Sequence, residues 1–255
     1  MTRILLHGCC GAMGLMIAKL AADDGDVQVV AGVDSRETEG LAFPFYKSVQ
    51  DVKEEADVVI DFSVAEATDA LLDACVEKKL PLVLCTTGLS EAQTAHMMEA
   101  SKKIALLKSA NMSLGINLLL KVIGEITPVL RQAGFDIEIT EAHHRRKVDA
   151  PSGTALALAD AAKAAVKDKQ LSYTFDRSAR RQPRDPDEIG ISAIRGGTIV
   201  GEHDVIFAGE DEVITLKHSA HSRAIFAKGA LAAAKFLNGK GAGFYGMEDV
   251  IGQGA

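Results

Sequence analysis

Residues 141–155 read Glu-Ala-His-His-Arg-Arg-Lys-Val-Asp-Ala-Pro-Ser-Gly-Thr-Ala, which gathers proton donors, cations and a helix start into one short stretch. An imidazole gives or takes a proton near neutral pH, and an ammonium adds a compact cation with three donors. Together they suit proton donation to an anionic substrate. Successive side chains at a strand end point to opposite sides, so His143 and His144 cannot both face one substrate. One of the two imidazoles is expected in the site. Ser152 is a favoured N-cap beside Pro151, and Gly153 and Thr154 open a helix whose first N–H groups point forward. Such a terminus attracts a carboxylate or phosphate.

These residues need elements to hold them. Residues 135–141 alternate apolar and polar like a half-buried strand, and residues 155–166 form an alanine-rich helical run. The basic stretch is therefore a strand-to-helix loop. A second such junction lies at the N-terminus, where Arg3-Ile-Leu-Leu-His runs into Gly8-Cys-Cys-Gly-Ala-Met-Gly14 and then a helix. Gly8 permits the tight turn, Gly11 lets backbone approach a pyrophosphate, and Gly14 lets helix pack closely on sheet. A strand at 27–33 then ends in Asp34, twenty residues after Gly14, where a carboxylate would bond ribose hydroxyls. Strand, turn, helix, strand and acid in this order predict a dinucleotide site.

At 255 residues the chain can bury about seventy per cent of its unfolded surface, as one large or two modest domains. Its 47% hydrophobic and 25% charged residues are ordinary for a globular protein, with no repeat, no leader pattern and no apolar run long enough to span a bilayer. A net charge of −7 argues against nucleic acid and anionic membranes as partners, so an anionic substrate must rely on a local basic pocket. The expected location is the cytoplasm. Cys9, Cys10, Cys75 and Cys85 form no CxxC pair and read as reduced thiols, with no metal site expected. For Cys9 and Cys10, packing in the glycine turn outweighs a thiol activated by the helix start.

Strands are predicted at 57–63, 81–85 and 104–108, the last of the parallel set, with helices at 65–78 and 90–102. Ligands of open α/β sheets sit beyond the carboxyl ends of strands, so Phe62-Ser63, Thr86-Thr87-Gly88 and Ala110-Asn111-Met112 should rim the cofactor site. The pattern then changes to a long helix at 114–132 and strands at 190–195, 198–207 and 212–218, an α+β lobe. Residues 172–188 read as a solvated polar loop, and 222–237 as an alanine-rich helix returning to the first lobe. The expected fold class is α/β: a Rossmann-type nucleotide-binding domain (1–112 and 223–255) plus a smaller α+β substrate-binding domain (113–222) with an open mixed sheet.

Across nearly its whole length the chain resembles the dihydrodipicolinate reductases of bacterial lysine and diaminopimelate biosynthesis. The resemblance rests on Glu141 to His144 and Lys147 to Ala155, supported by Gly8 to Gly14, Thr86-Thr87-Gly88, Asn111 to Asn117, Arg195-Gly-Gly and Val200 to His203. It implies hydride transfer from NADH or NADPH to a cyclic imine dicarboxylate with loss of water. His143 and Lys147 become the acid and base candidates, and Thr87, His144, Lys147, Ser152, Gly153 and Thr154 the substrate contacts. Expected cofactor contacts are Gly8, Cys10, Gly11, Ala12, Met13, Asp34, Ser35, Arg36, Phe62, Thr86, Thr87, Gly88, Ala110, Asn111, Met112 and Arg223. The resemblance further implies two lobes closing about hinges at Met112-Ser113 and Ser222-Arg223, and a homotetramer built through the second lobes. The chain departs from many relatives in carrying Ala12 and Ser35 where they have arginines, with Arg36 one position later. That departure, with Asp34 repelling a 2′-phosphate, predicts NADH used at least as well as NADPH. Another two-lobe nicotinamide-dependent reductase or amino-acid dehydrogenase would keep the glycine turn yet need neither the His-His-x-x-Lys nor the Pro-Ser-Gly-Thr element. A non-catalytic dinucleotide sensor would have no use for a proton donor beside an anion site.

Overall fold

Short runs of Val, Ile and Leu alternate with eleven-residue helices through the first part of the chain, the pattern of strands covered on both faces. In the computed structural model, which describes residues 1–166 and 171–252, they form β1 (Thr2–His7), α1 (Ala12–Ala22), β2 (Val27–Val33), β3 (Phe45–Tyr46), β4 (Val58–Asp61), α2 (Thr68–Lys78), β5 (Leu82–Leu84), α3 (Glu91–Ser101) and β6 (Ala105–Leu107). The expected domains include residues 167–170 and 253–255, which lie outside this description. A 3-10 turn at Ala65–Ala67 precedes α2, where one continuous helix from 65 was expected. Ser90 caps α3 in a reciprocal box with Gln93.

Two compact units divide the chain, Met1–Ser113 with Ala224–Ala255 and Leu114–Arg223. In the second unit the elements are α4 (Leu114–Gln132), β7 (Asp136–His143), α5 (Gly153–Ala165), β8 (Ser172–Thr174), β9 (Glu188–Arg195), β10 (Gly201–Ala208) and β11 (Val213–Ala220). The sheet order is β11-β10-β7-β9-β8, with β9 parallel to both β7 and β8 and β10 antiparallel to β7 and β11. Strict alternation along β7 buries Ile137 and Ile139 against Leu158 and Ala162 of α5.

The stretch at 172–188 corrects the solvated-loop expectation. It begins with a parallel strand and is then tied down by three arginines. Arg177 and Arg180 reach Glu188, while Arg184 reaches Asp136 and Glu138. Burial opposes ionisation of Glu188, yet Arg177, Arg180 and Thr174 hold its carboxyl down at about 2. A sequence window shows those arginines as solvated charge because their partners lie on other strands.

The chain then returns to the first unit through α6 (Ala224–Leu237), β12 (Gly243–Tyr245) and α7 (Met247–Gly252). The strand at 105–107 is therefore not the last parallel one. β12 pairs parallel with β6, and β3 adds a further short strand, giving the order β12-β6-β5-β4-β1-β2-β3. Both added strands are too short for periodicity to reveal. One sheet face (Ile4, Leu6, Ile60, Val83, Leu107) packs with α1 and α6, and the other (Leu5, Val59, Leu82, Leu84, Leu106) with α2 and α3. Small residues let α6 approach closely. A side chain at Gly229 would fall 1.7 Å from the Met112 carbonyl oxygen.

Candidate active site

Each unit carries one part of the predicted machinery. In the first, the turn after β1 is shaped by close backbone approach. Gly8 has φ +78°, and a Cβ there would meet the Phe62 carbonyl oxygen at 2.5 Å. A Cβ at Gly14 would lie 2.3 Å from the Gly8 carbonyl oxygen. Gly11 differs, since a Cβ would find its nearest neighbour at 3.4 Å and its φ of −75° suits any residue. The fold does not require glycine at 11, and the bare backbone there leaves room for a ligand to approach. Gly11 caps α1 without a side-chain bond, and no acid stands in the helix's first turn, so its N-terminus suits a phosphate.

Beside this turn lies a cavity of about 360 Å³ whose lining includes Gly8, Gly11, Asp34, Ser35, Arg36 and Phe62. Asp34 Oδ2 accepts the Cys10 N–H at 3.0 Å, and Oδ1 accepts the Arg36 N–H at 3.0 Å. Lys47, absent from the predicted set, also lines the cavity, and its Nζ donates to the Ser35 carbonyl at 2.9 Å. It follows β3, the strand that periodicity missed. Ala12 and Met13 occupy the first turn of α1, and Met13 packs on the core. Burial and neighbouring Cys10 push the Cys9 thiol up to about 12, which leaves it a packed thiol rather than an activated one.

Under the turn, buried Asp61 joins three strand ends. It pairs with His7 Nδ1 at 2.7 Å and accepts from Thr86 Oγ1 at 2.6 Å and the Ser63 N–H at 3.1 Å. Burial would raise its carboxyl, but His7 leads the donors that hold it below the usual carboxylate range. Thr86 is thereby fixed as support, while Thr87 and Gly88 are exposed just beyond it. At the end of β6, Ala110 is exposed, Met112 is buried in the core, and Asn111 Oδ1 accepts the Ser113 N–H at 2.8 Å. None of Thr86 to Gly88 or Ala110 to Met112 lines the cavity beside the glycine turn, and Arg223 belongs to the second unit.

In the second unit, the buried face of β7 changes from Ile137 and Ile139 to Glu141 and His143 at the strand's carboxyl end. Period-two alternation puts all four on the side packed with α5. His143 is 8% exposed, and His144, one residue on, is half-buried at the loop's start. Glu141 Oε2 meets His143 Nδ1 at 2.6 Å and Arg195 Nη1 at 2.7 Å, while Oε1 accepts Arg195 Nη2 at 2.7 Å and the Ser152 N–H at 3.0 Å. Strand register explains the assembly, because His203 of β10 lies opposite Glu141 and Arg195 of β9 opposite His143. Burial alone would raise the Glu141 carboxyl; Arg195, His143 and Ser152 hold it below its ordinary value.

Ser152 caps α5, accepting the Ala155 N–H at 3.2 Å, and its hydroxyl lies 3.1 Å from His203 Nε2. With its N–H on Glu141 and its hydroxyl on the Ala155 N–H, Ser152 serves the scaffold. Gly153 is exposed and Thr154 half-buried at the same helix start. Burial, then the neighbouring His143, lowers His203 to about 4, so it is neutral at pH 7. Lys147 Nζ pairs with Asp149 at 2.8 Å and is the cation of the loop nearest its own carboxylate. Glu141, Arg195, His203 and Asp149 belong to the motifs that carry the resemblance but were assigned no role in the site from sequence. The i, i+2 spacing of Glu141 and His143 within a strand was the available signal.

An imidazole braced by a buried carboxylate, a lysine and a capped helix start thus share one unit, and a glycine-cradled cavity lies in the other. Family models agree unit by unit: the dihydrodipicolinate reductase N-terminus matches residues 2–112, and the dihydrodipicolinate reductase C-terminus matches residues 115–251. The chain belongs to the dihydrodipicolinate reductase family. Relatives within that family include the 4-hydroxy-tetrahydrodipicolinate reductases of Caldanaerobacter subterraneus subsp. tengcongensis, 54% identical over 100% of both chains, and of Clostridium tetani, 50% identical over 98% of this chain and 97% of that one. The fold matches dipicolinate-bound dihydrodipicolinate reductase from Paenisporosarcina sp. TG-14 with a TM-score of 0.79 at 21% identity, covering 98% and 99% of the two chains. A probable dehydrogenase from Thermotoga maritima shares the fold more distantly, at a TM-score of 0.64 and 14% identity, over 98% of this chain and 92% of that one.

Proposed function

We infer that this chain is a 4-hydroxy-tetrahydrodipicolinate reductase, which uses NADH or NADPH to replace the substrate's hydroxyl by hydrogen and releases water and tetrahydrodipicolinate in lysine biosynthesis through diaminopimelate. The observation that carries the reading is the Glu141-braced His143 joined through Glu141 to the α5 start, with Lys147 in the loop between, in a chain matched to the family in both units. The glycine turn and the cavity at Asp34 fit a dinucleotide, held by Gly8, Gly11, Asp34 and the first turn of α1. When bound, the reduced nicotinamide supplies the hydride.

Loss of the hydroxyl as water takes up one proton, and in this reading His143 and Lys147 deliver it. The substrate carries two carboxylates. Gly153 and Thr154 at the helix start, with His144 and Lys147, suit them, and Lys147 must exchange Asp149 for substrate to do so. Thr87 completes the expected substrate set, and the second unit's sheet is the expected surface of a cytoplasmic homotetramer. Among the described residues no helix is long and apolar enough to cross a membrane.

Turnover tests the reading directly. Enzymatically made substrate should drive loss of the reduced nicotinamide's absorbance, one cofactor per substrate, with dipicolinate competing against substrate. No turnover with either cofactor would overturn it.

A further inference from the structure

Outside the assigned site residues, Glu141 is a fully satisfied buried charge of the second unit. Its side chain is fully buried, and its two oxygens meet four donors: His143 Nδ1, both terminal nitrogens of Arg195, and the Ser152 backbone N–H. Two carboxylate oxygens have about four lone-pair sites between them, so the set is full. An ionised carboxylate can only accept. His143 Nδ1 must therefore carry its hydrogen, and Nε2 is left as the nitrogen that exchanges protons.

We propose that Glu141 is a positioning residue that fixes the tautomer of His143 and, through the Ser152 N–H, sets the anion-binding start of α5 at a constant distance from that imidazole. The proposal rests on the reductase reading above. Arg195 neutralises the buried charge and spans to the Asp149 carbonyl at 2.6 Å, tying the catalytic loop to the same carboxylate. Gly201 supports the geometry, since a Cβ there would come within 3.1 Å of His143 Nε2, the atom the proposal makes reactive. His203 completes the surroundings, with its ring centroid 5.1 Å from that of His143 in an edge contact.

The charged and titratable groups set against His143 among the described residues are Glu141 on β7, Arg195 on β9 and His203 on β10. Replacing Glu141 by Gln removes the one anion among them. Nitrogen-15 NMR of the ring in the full-length wild type should show neutral His143 protonated at Nδ1. Glu141→Gln should lower kcat about a hundredfold, shift the His143-dependent limb of the kcat profile to lower pH, and leave NADH affinity within about twofold. Glu141→Asp should recover part of kcat and restore the profile. A wild-type His143 protonated at Nε2 would overturn the proposal even if the variants fail to fold. So would Glu141→Gln turning over at the wild-type rate while His143→Gln is slow. If His143→Gln is itself as fast as wild type, the reductase mechanism fails first, a distinguishable result.

Discussion

The two units build their candidate sites in opposite ways. The first uses shape: Gly8 and Gly14 let backbone approach where any Cβ would clash, and the Gly11 cap leaves N–H groups facing outward. The second uses charge, with a buried carboxylate satisfied by groups from β7, β9 and the start of α5. A site made of backbone is fixed once the turn folds, and its failures are steric. A site made of side chains can keep its fold and lose its chemistry, because its buried carboxylate is satisfied in part by an arginine on another strand, far away in sequence.

That contrast predicts the largest effect at Gly14. Gly14→Ala puts Cβ 2.3 Å from the Gly8 carbonyl oxygen and should abolish measurable NADH binding and lower Tm, read by nicotinamide fluorescence and thermal melting. Gly11→Ala meets nothing closer than 3.4 Å, so it should melt like wild type while binding NADH at least about tenfold more weakly. Equal NADH affinity in Gly11→Ala would remove the argument that this turn approaches the cofactor. In the second unit, Lys147→Ala should lower kcat about a hundredfold with NADH affinity unchanged. Thr154→Val should instead raise substrate KM more than it lowers kcat, since a carboxylate is held in both ground and transition states. A reversed pattern in the two variants would exchange their roles.

The next effect is on stability. His203 titrates at about 4 in the folded protein, because burial penalises the imidazolium, and near 6.5 when unfolded. Its contribution is complete above about pH 6.5 and declines as the pH falls towards 4, by on the order of 3 kcal/mol at most. His203→Gln should flatten that part of the stability curve in urea unfolding between pH 7.5 and 4.5, and an unchanged slope would assign the acid sensitivity to other groups. The smallest effect concerns cofactor choice. NADH should be used at least as well as NADPH because of Asp34, yet Lys47 and Arg36 line the same cavity. Lys47→Ala should therefore cost NADPH about three- to tenfold in kcat/KM and NADH little, and equal losses would place Lys47 away from the 2′-phosphate.

Sequence made the backbone site legible because its signals are local: Gly8, Gly11 and Gly14 stand a few residues apart, and Asp34 ends the next strand. In the second unit the linear motif reveals His143, Lys147 and the capped start of α5, again within one stretch. What it hides is register. Arg195 reaches Glu141 from β9 and His203 faces it from β10, contacts fixed by strand pairing across more than fifty residues. The loop arginines were misread for the same reason, as Arg184 finds Asp136 and Glu138 only once β7 is in place. Strands as short as β3 and β12 offer too few residues for alternation to register, and with β3 went the position of Lys47.

The late return of the chain has a consequence for biosynthesis. A ribosome finishes the whole second unit before it makes α6 and β12, so for more than a hundred residues of synthesis the parallel sheet lacks the helix that covers Ile60, Val83 and Leu107 and the strand that protects β6. The nascent nucleotide-binding half emerges first and matures last. Its exposed apolar face makes the interval between β6 and α6 the period in which a chaperone has most to shield.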